Sequence, residues 1–217
     1  MDVYGLTGGI GSGKSAAAAI FEELGIPVVS ADELSRMVVT PGSEGLQAVV
    51  EAFGPGILDA SGELDRRKLG KLVFRDAVQR GRLEAILHPR IRDSFQDVLT
   101  MLESTHQHMV IYEVPLLFEN NLEKTMKAVI LVSAPEAARI ARVMERDTLT
   151  ADEVRARMAT QMDDTNRRAR ANFILENDGD LANLRRQVEA LLVKLTPRAP
   201  GKPPPPPRIP PPPKVKQ

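Results

Sequence analysis

The sequence contains no cysteine and no tryptophan, and two tyrosines and six phenylalanines are its only aromatic residues. Without cysteine there is no disulfide framework, no thiolate nucleophile and no Cys-ligated zinc, a composition suited to a reducing interior. Long hydrophobic runs are also missing, since none approaches the roughly 18 residues that a membrane span requires. The N-terminus has neither the basic stretch nor the apolar core of a secretory signal, so a cytoplasmic location without a transmembrane segment is expected. Proline is scarce until the end of the chain, where eleven of the 17 prolines lie at Pro197 or later. A body of about 196 residues is therefore followed by a low-complexity tail. That body is long enough to bury roughly 70% of its unfolded surface in one α/β domain with insertions.

Charge of one sign is lacking overall, with 29 Lys and Arg against 29 Asp and Glu, but the balance hides an asymmetry. The tail holds Arg198, Lys202, Arg208, Lys214 and Lys216 and no acid, which leaves the body with a net charge of −5. No nucleic-acid partner is expected. Pro203 to Pro207 and Pro210 to Pro213 cannot donate backbone hydrogen bonds and favour an extended polyproline II chain, so 197–217 is expected to be disordered. It reads either as a docking peptide or weak anchor for anionic surfaces, with an unknown partner, or as a solvated tail.

Along the body, short apolar runs alternate with helical periods. Val3 to Thr7 reads as a buried strand, and Lys14 to Leu24 as a helix with Ala17, Ile20, Phe21 and Leu24 on one side, ended by Gly25. Further strands are expected at Ile26–Ser30, Val110–Glu113, Ala128–Val132 and Phe173–Leu175. Leu181, Leu184, Val188, Leu191, Leu192 and Leu195 recur at the spacing of a closing helix. The alternation predicts a doubly wound, five-stranded parallel sheet. Two stretches depart from it. From about residue 33 to 103 helical patterns occur without a strand. From 135 to about 170 the chain is charged and helical, with eight Arg and no Lys, and Thr150 and Glu153 are spaced as a capping box. The expected organisation is a nucleotide-binding core of 1–32, 107–134 and 171–196, a helical substrate-binding insertion of 33–106, a helical lid of 135–170 and the tail. A small kinase with a mobile lid has these parts.

The strongest chemical signal is Gly8-Gly9-Ile10-Gly11-Ser12-Gly13-Lys14-Ser15, an intact GxxxxGK[ST] between the first strand and the first helix. Gly9, Gly11, Ser12 and Gly13 let backbone N–H groups converge on phosphate oxygens, and the helix N-terminus adds its positive dipole end. Lys14 is expected at the β- and γ-phosphates, and the Ser15 hydroxyl on Mg²⁺. Such a loop marks a P-loop NTPase without separating kinase, GTPase and motor ATPase. Asp32 ends Val28-Val29-Ser30-Ala31-Asp32, and strands one and two of a parallel sheet open on the same edge, so its carboxylate is expected to face the loop. There it either takes or orients the proton of an attacking hydroxyl, or it caps the following helix.

Other candidates divide between chemistry and structure. Arg142 and Arg146 are four apart, and Arg139 three before Arg142, along one helical stripe. Arg142 and Arg146 are read as stabilising the migrating phosphoryl charge, against the alternative of a solvated face, and Arg139 as surface. Arg157 and Gln161 either contact phosphate or close the lid. Glu113 ends an apolar strand, where it either holds a Mg²⁺-bound water or makes a cap or ion pair. His106 and His108 fit no metal site.

In order and spacing these residues resemble the dephospho-CoA kinase family, which carries out the last step of coenzyme A synthesis. The family's GLTGGIGSGKS stands unchanged as Gly5 to Ser15, and its Asp-Ala-Asp, followed by Arg or His and Pro-Gly, is met by Ser30-Ala31-Asp32, Arg36 and Pro41-Gly42. HPxIR is present as His88 to Arg92 and VPLLFE as Val114 to Glu119. Arg142, Arg146-Asp147, Arg157 and Gln161 are similar to its lid, and Ile174 with Asn177-Asp178-Gly179 to its strand and turn near the adenine. The resemblance spans Met1 to about Leu195.

It implies phosphoryl transfer from Mg·ATP to the ribose 3′-hydroxyl of dephospho-CoA, giving CoA and ADP, with Asp32 as the base and Mg²⁺ as cofactor. Lys14, Arg142 and Arg146 join Asp32 as catalytic residues. ATP would be held by the loop from Gly9 to Ala16 together with Arg142 and Asn177. Dephospho-CoA would meet Asp32, Arg36, Arg66, His88, Arg92 and Glu119, with Arg67 and Lys68 adding positive charge. Ser15, and Glu113 through water, would hold the metal. Ser30 departs from the first Asp of Asp-Ala-Asp, and Ala16 from the usual Thr, so altered affinity rather than lost activity is expected. The competing readings are another small-molecule kinase, acting on a nucleoside monophosphate or gluconate, and a GTPase switch. For the latter, Asp59 to Gly62 matches DxxG but no NKxD is present.

Overall fold

Each apolar run that lies between two helical layers can bury both faces of a strand, which is the condition for a parallel sheet. In the computed structural model, which describes residues 1–74 and 76–195, the strands are β1 (Asp2–Thr7), β2 (Val28–Ser30), β3 (Met109–Glu113), β4 (Ala128–Ser133) and β5 (Phe173–Glu176). They form one parallel five-stranded sheet in the order β2-β3-β1-β4-β5. The proline-rich tail lies outside the described residues.

Helix α1 (Lys14–Glu23) and helix α9 (Leu181–Leu195) bury Ala17, Ile20, Phe21, Leu184, Val188 and Leu191 in one cluster with Leu6, Ile111, Ile130 and Leu175 of the sheet. α1 closes through Gly25 N–H to Glu22 C=O at 2.9 Å and Ile26 N–H to Phe21 C=O at 3.0 Å, the bond pair of a Schellman turn. β2 begins at Val28, two residues later than the apolar run suggests. Pro27 has no N–H to give the ladder, although its carbonyl accepts from Ile111 N–H at 2.9 Å.

Among the described residues, 1–30 and 107–195 form one compact unit, and 31–106 a second. The second unit is helical: α2 (Ala31–Met37), α3 (Glu44–Phe53), α4 (Arg66–Phe74) and α5 (Ala77–Ser104), with an antiparallel bridge between Leu58 and Leu64. Its own core joins Val39, Leu46, Val49, Ile57 and Leu69 to Leu83, Ile86 and Leu87 of α5. Ser43 caps α3 by accepting from Leu46 N–H at 3.1 Å, and Asp76 caps α5 by accepting from Val78 and Gln79 N–H. Pro89 lies inside α5 and withholds one ladder donor; Arg90 Nη1 donates to Ile86 C=O at 2.8 Å beside the interruption.

In the first unit, β4 is followed by α6 (Glu136–Asp147), α7 (Ala151–Ala159) and α8 (Asp164–Arg170). Ile140, Val143 and Val154 form a small core there with Ile10 and Leu149. α7 starts with a complete capping box, in which Thr150 Oγ1 accepts from Glu153 N–H at 3.3 Å and Glu153 Oε2 accepts from Thr150 N–H at 2.8 Å. The Thr150 backbone and hydroxyl hold the Glu153 carboxyl below its ordinary range. A lowered folded value adds stability above the unfolded value, and that stability is lost as pH falls through the folded one. Thr150→Ala should cost about 1 kcal/mol in urea unfolding at neutral pH, and the cost should shrink as Glu153 protonates. No helix among the described residues is long and apolar enough to cross a membrane.

Candidate active site

The loop of residues 8–15 leaves β1 and enters α1, and its backbone needs glycine where it turns into the helix. Gly13 is the N-cap with φ 97°, and a Cβ there would lie 2.0 Å from Asn177 Nδ2. Asn177 Nδ2 donates to Ser12 C=O at 2.8 Å. Arg142, on α6, donates from Nη1 to Gly11 C=O at 3.3 Å and from Nη2 to Asn177 C=O at 3.1 Å. Arg139 Nε donates to Ile10 C=O at 3.0 Å, and Gln161 Oε1 accepts from Ile10 N–H at 2.9 Å. Three successive loop carbonyls are thus held from outside by side-chain donors. Lys14 Nζ donates to Gly8 C=O at 2.9 Å. A loop held at its backbone at a helix N-terminus, with a lysine folded over it, is an arrangement that binds phosphate. Ala16, half-buried, packs its methyl group against the main core where a hydroxyl is usual in the family pattern.

The arginine stripe on α6 divides differently from its sequence reading. Arg139 is not at the surface: it is 6% exposed, because the face of α6 that carries Ile140 and Val143 lies against the loop. Arg146 is the exposed member, with 64% of its side chain accessible and its fork on Asp147 at 2.7 and 2.9 Å. That pairing raises the guanidinium and holds the Asp147 carboxyl below its usual range. Arg157 is 3.5 Å from the same carboxylate. Arg167, which the sequence did not single out, is 1% exposed and donates from Nη2 toward Gln161 and Glu119 at 3.4 and 3.5 Å. Glu119 Oε1 also accepts from Met162 N–H at 3.0 Å, so within this unit it anchors the segment before α8.

β3 lies between β1 and β2, pairing Glu113 with Leu6 on one side and Ser30 on the other. The half-buried Glu113 therefore stands at the strand end beside the one that feeds the loop, and Ser15 is exposed in the first turn of α1. No group of three or more His, Cys, Asp or Glu suited to a metal occurs among the described residues. One hydroxyl and one carboxylate, both hard oxygen donors, still fit Mg²⁺, which keeps several waters and takes phosphate oxygens as ligands.

The remaining candidates belong to the second unit. Asp32 is the second residue of α2 and exposed, and its carboxylate holds no hydrogen bond among the described residues. Arg36 is exposed in the last turn of the same helix. Arg66 lines a cavity of about 600 Å³ with Arg67, Gly70, Lys71 and Phe74. Lys68 is drawn away to Leu58 C=O at 2.9 Å and Asp65 at 3.5 Å. His88 and Arg92 are both exposed on α5, four residues apart and so on one face. Asp59 of the DxxG match accepts from Ser61 and Glu63 N–H at 2.9 and 3.0 Å, which makes it the hinge of a turn between the bridged Leu58 and Leu64.

A parallel sheet with this loop between β1 and α1, followed by arginine-bearing helices that grip the loop, defines a P-loop kinase. The dephospho-CoA kinase family model matches residues 2–183. Dephospho-CoA kinase of Idiomarina loihiensis is 46% identical over 189 residues, 87% of this chain and 92% of that protein. That of Geobacillus kaustophilus is 41% identical over 87% of this chain and 94% of its own length. A crystal structure of a Thermus thermophilus protein, 39% identical, superposes with a TM-score of 0.79 over 90% of this chain and 98% of that one. Dephospho-CoA kinase from Campylobacter jejuni, 26% identical, gives 0.66 over 89% and 96%. The chain belongs to the dephospho-CoA kinase family and is a kinase, a transferase of phosphoryl groups.

Proposed function

We propose that the chain transfers the γ-phosphoryl group of Mg·ATP to the ribose 3′-hydroxyl of dephospho-CoA, releasing CoA and ADP, in the cytoplasm. The observation that carries this reading is the phosphate loop clasped on its carbonyl side by Arg139, Arg142 and Asn177, in a chain of this family. With those carbonyls engaged elsewhere, backbone N–H groups and the α1 dipole are the loop's means of meeting the triphosphate. Lys14 moves from Gly8 C=O to the β- and γ-phosphates. Ser15, and Glu113 through water, would hold Mg²⁺, which would supply charge neutralisation at the transferring phosphate.

Asp32 takes the proton as the 3′-oxygen forms its bond to the γ-phosphorus and the bond from that phosphorus to the β-phosphate bridging oxygen breaks. Arg142 lies close to the migrating charge, and Arg146 joins it by leaving Asp147. The functional partition is a core, a dephospho-CoA-binding insertion over 33–106 and a lid over 135–170. Arg36, Arg66, His88, Arg92 and Glu119 contact the acceptor, whose diphosphate the cations of the insertion balance. The test is an acceptor panel with ATP and Mg²⁺, with products identified by mass. Dephospho-CoA should be phosphorylated far faster than AMP, CMP, adenosine or gluconate. Comparable phosphorylation of a nucleoside monophosphate, with dephospho-CoA inert, would replace this reading by the other kinase.

A further inference from the structure

Two buried arginines press on the second glycine of the phosphate loop from different helices. A Cβ built on Gly9 would lie 2.2 Å from Arg139 Nη2 and 2.7 Å from Arg167 Nη1, so both guanidinium groups reach the loop backbone where no side chain intervenes. Arg139 is 6% exposed and Arg167 1%. Glu119 lies 3.5 Å from Arg167, and it is shared with Met162 N–H. Arg167 Nε is buried with no hydrogen-bond partner among the described residues. Burial first, and then the charge of Arg167, pull the Arg139 guanidinium below its ordinary range, with the charges of Asp164 and Glu136 offsetting this only in part. Two desolvated like charges with one carboxylate in direct contact are costly without further counter-charge. A polyanion entering the loop offsets that cost.

We propose that Arg139 and Arg167 form a charge-sensing pair beneath Gly9 that couples loop stability to the number of phosphates bound. This rests on the reading of the loop as an ATP site. The pair acts through the loop and the field it creates there, so its members are positioning residues. Affinity should rise from AMP through ADP to ATP more steeply than the hydrogen bonds of Lys14 and the loop amides alone provide. Inorganic tripolyphosphate, which has the charge without the nucleoside, should stabilise the protein as well.

The experiment compares wild type, Arg139→Gln and Arg139→Lys by thermal unfolding and by titration with AMP, ADP, ATP and tripolyphosphate, without acceptor. Arg139→Gln keeps a donor for Ile10 C=O and removes one charge. Its unliganded midpoint should equal or exceed that of wild type, and its affinity for ATP and tripolyphosphate should fall roughly tenfold or more, with AMP little changed. Arg139→Lys keeps the charge and should bind ATP within about threefold of wild type. A lower unliganded midpoint for Arg139→Gln with unchanged ATP affinity would make Arg139 only a tether for Ile10 and overturn the proposal. A tenfold loss of ATP affinity in Arg139→Lys would overturn it too, which keeps the idea testable if Arg139→Gln does not fold. Failure of the acceptor panel would leave these binding results standing, so the two readings can fail separately.

Discussion

Asp32→Asn is expected to lower turnover by about a hundredfold or more while ATP affinity stays within about twofold of wild type. The substitution keeps the size of the side chain but exchanges a charged acceptor for a neutral amide, which cannot take the proton. Asp32 is exposed in the first turn of α2, and its carboxylate holds no hydrogen bond among the described residues, so little stability depends on that group. The phosphate contacts assigned to the loop are untouched. The check is kcat with saturating substrates, alongside an ATP titration and an unfolding midpoint. Near wild-type turnover would remove Asp32 from the chemistry. A large drop in stability would return it to a structural role in α2.

Lys14→Ala should instead damage binding and catalysis together, with ATP affinity reduced and turnover down on the order of 10²–10³-fold. The lysine bridges two functions. It donates to Gly8 C=O at 2.9 Å, and in the proposed complex its charge moves to the β- and γ-phosphates. Its removal takes away a charge-assisted donor that strengthens as negative charge builds on the transferring group. Equilibrium ATP titration and single-turnover kinetics separate the two losses. Unchanged ATP affinity would mean that the loop amides and α1 suffice, and that Lys14 has no part in holding the nucleotide. The contrast with Asp32→Asn is informative because one variant loses proton transfer alone and the other loses the phosphate anchor.

Much of the fold was legible because each local signal agreed with its neighbours. The loop motif sat between an apolar run and a helical period, and these became β1 and α1. The spacing of Leu184, Val188 and Leu191 gave the buried face of α9, and Thr150 with Glu153 formed the capping box their separation suggests. Strand order was not legible. Nothing local in 109–113 says that β3 inserts between β1 and β2, yet this is what sets Glu113, rather than the end of β2, beside the strand that feeds the loop.

The arginines show a second limit. Arg139, Arg142 and Arg146 share one stripe by spacing alone, and only packing against the loop decides that Arg139 is buried while Arg146 turns to Asp147 and solvent. Arg167 gave no signal of its own, lying in an arginine-rich stretch beside Arg168 and Arg170. A buried cation cannot be told from an exposed one by residue type. The useful sign would have been the loop's second glycine, since Gly9 leaves room for something large to approach its backbone.

The most direct test of phosphoryl transfer to dephospho-CoA is the position of the new phosphate. Phosphorus–proton correlation NMR on the purified product of ATP and dephospho-CoA should show one added phosphomonoester coupled to the 3′-proton of the adenosine ribose, with one ADP formed per product. Coupling to the 2′-proton, a phosphate on the pantetheine arm, or ADP formed without any phosphorylated acceptor would contradict the assignment of Asp32 and the phosphate loop to this reaction.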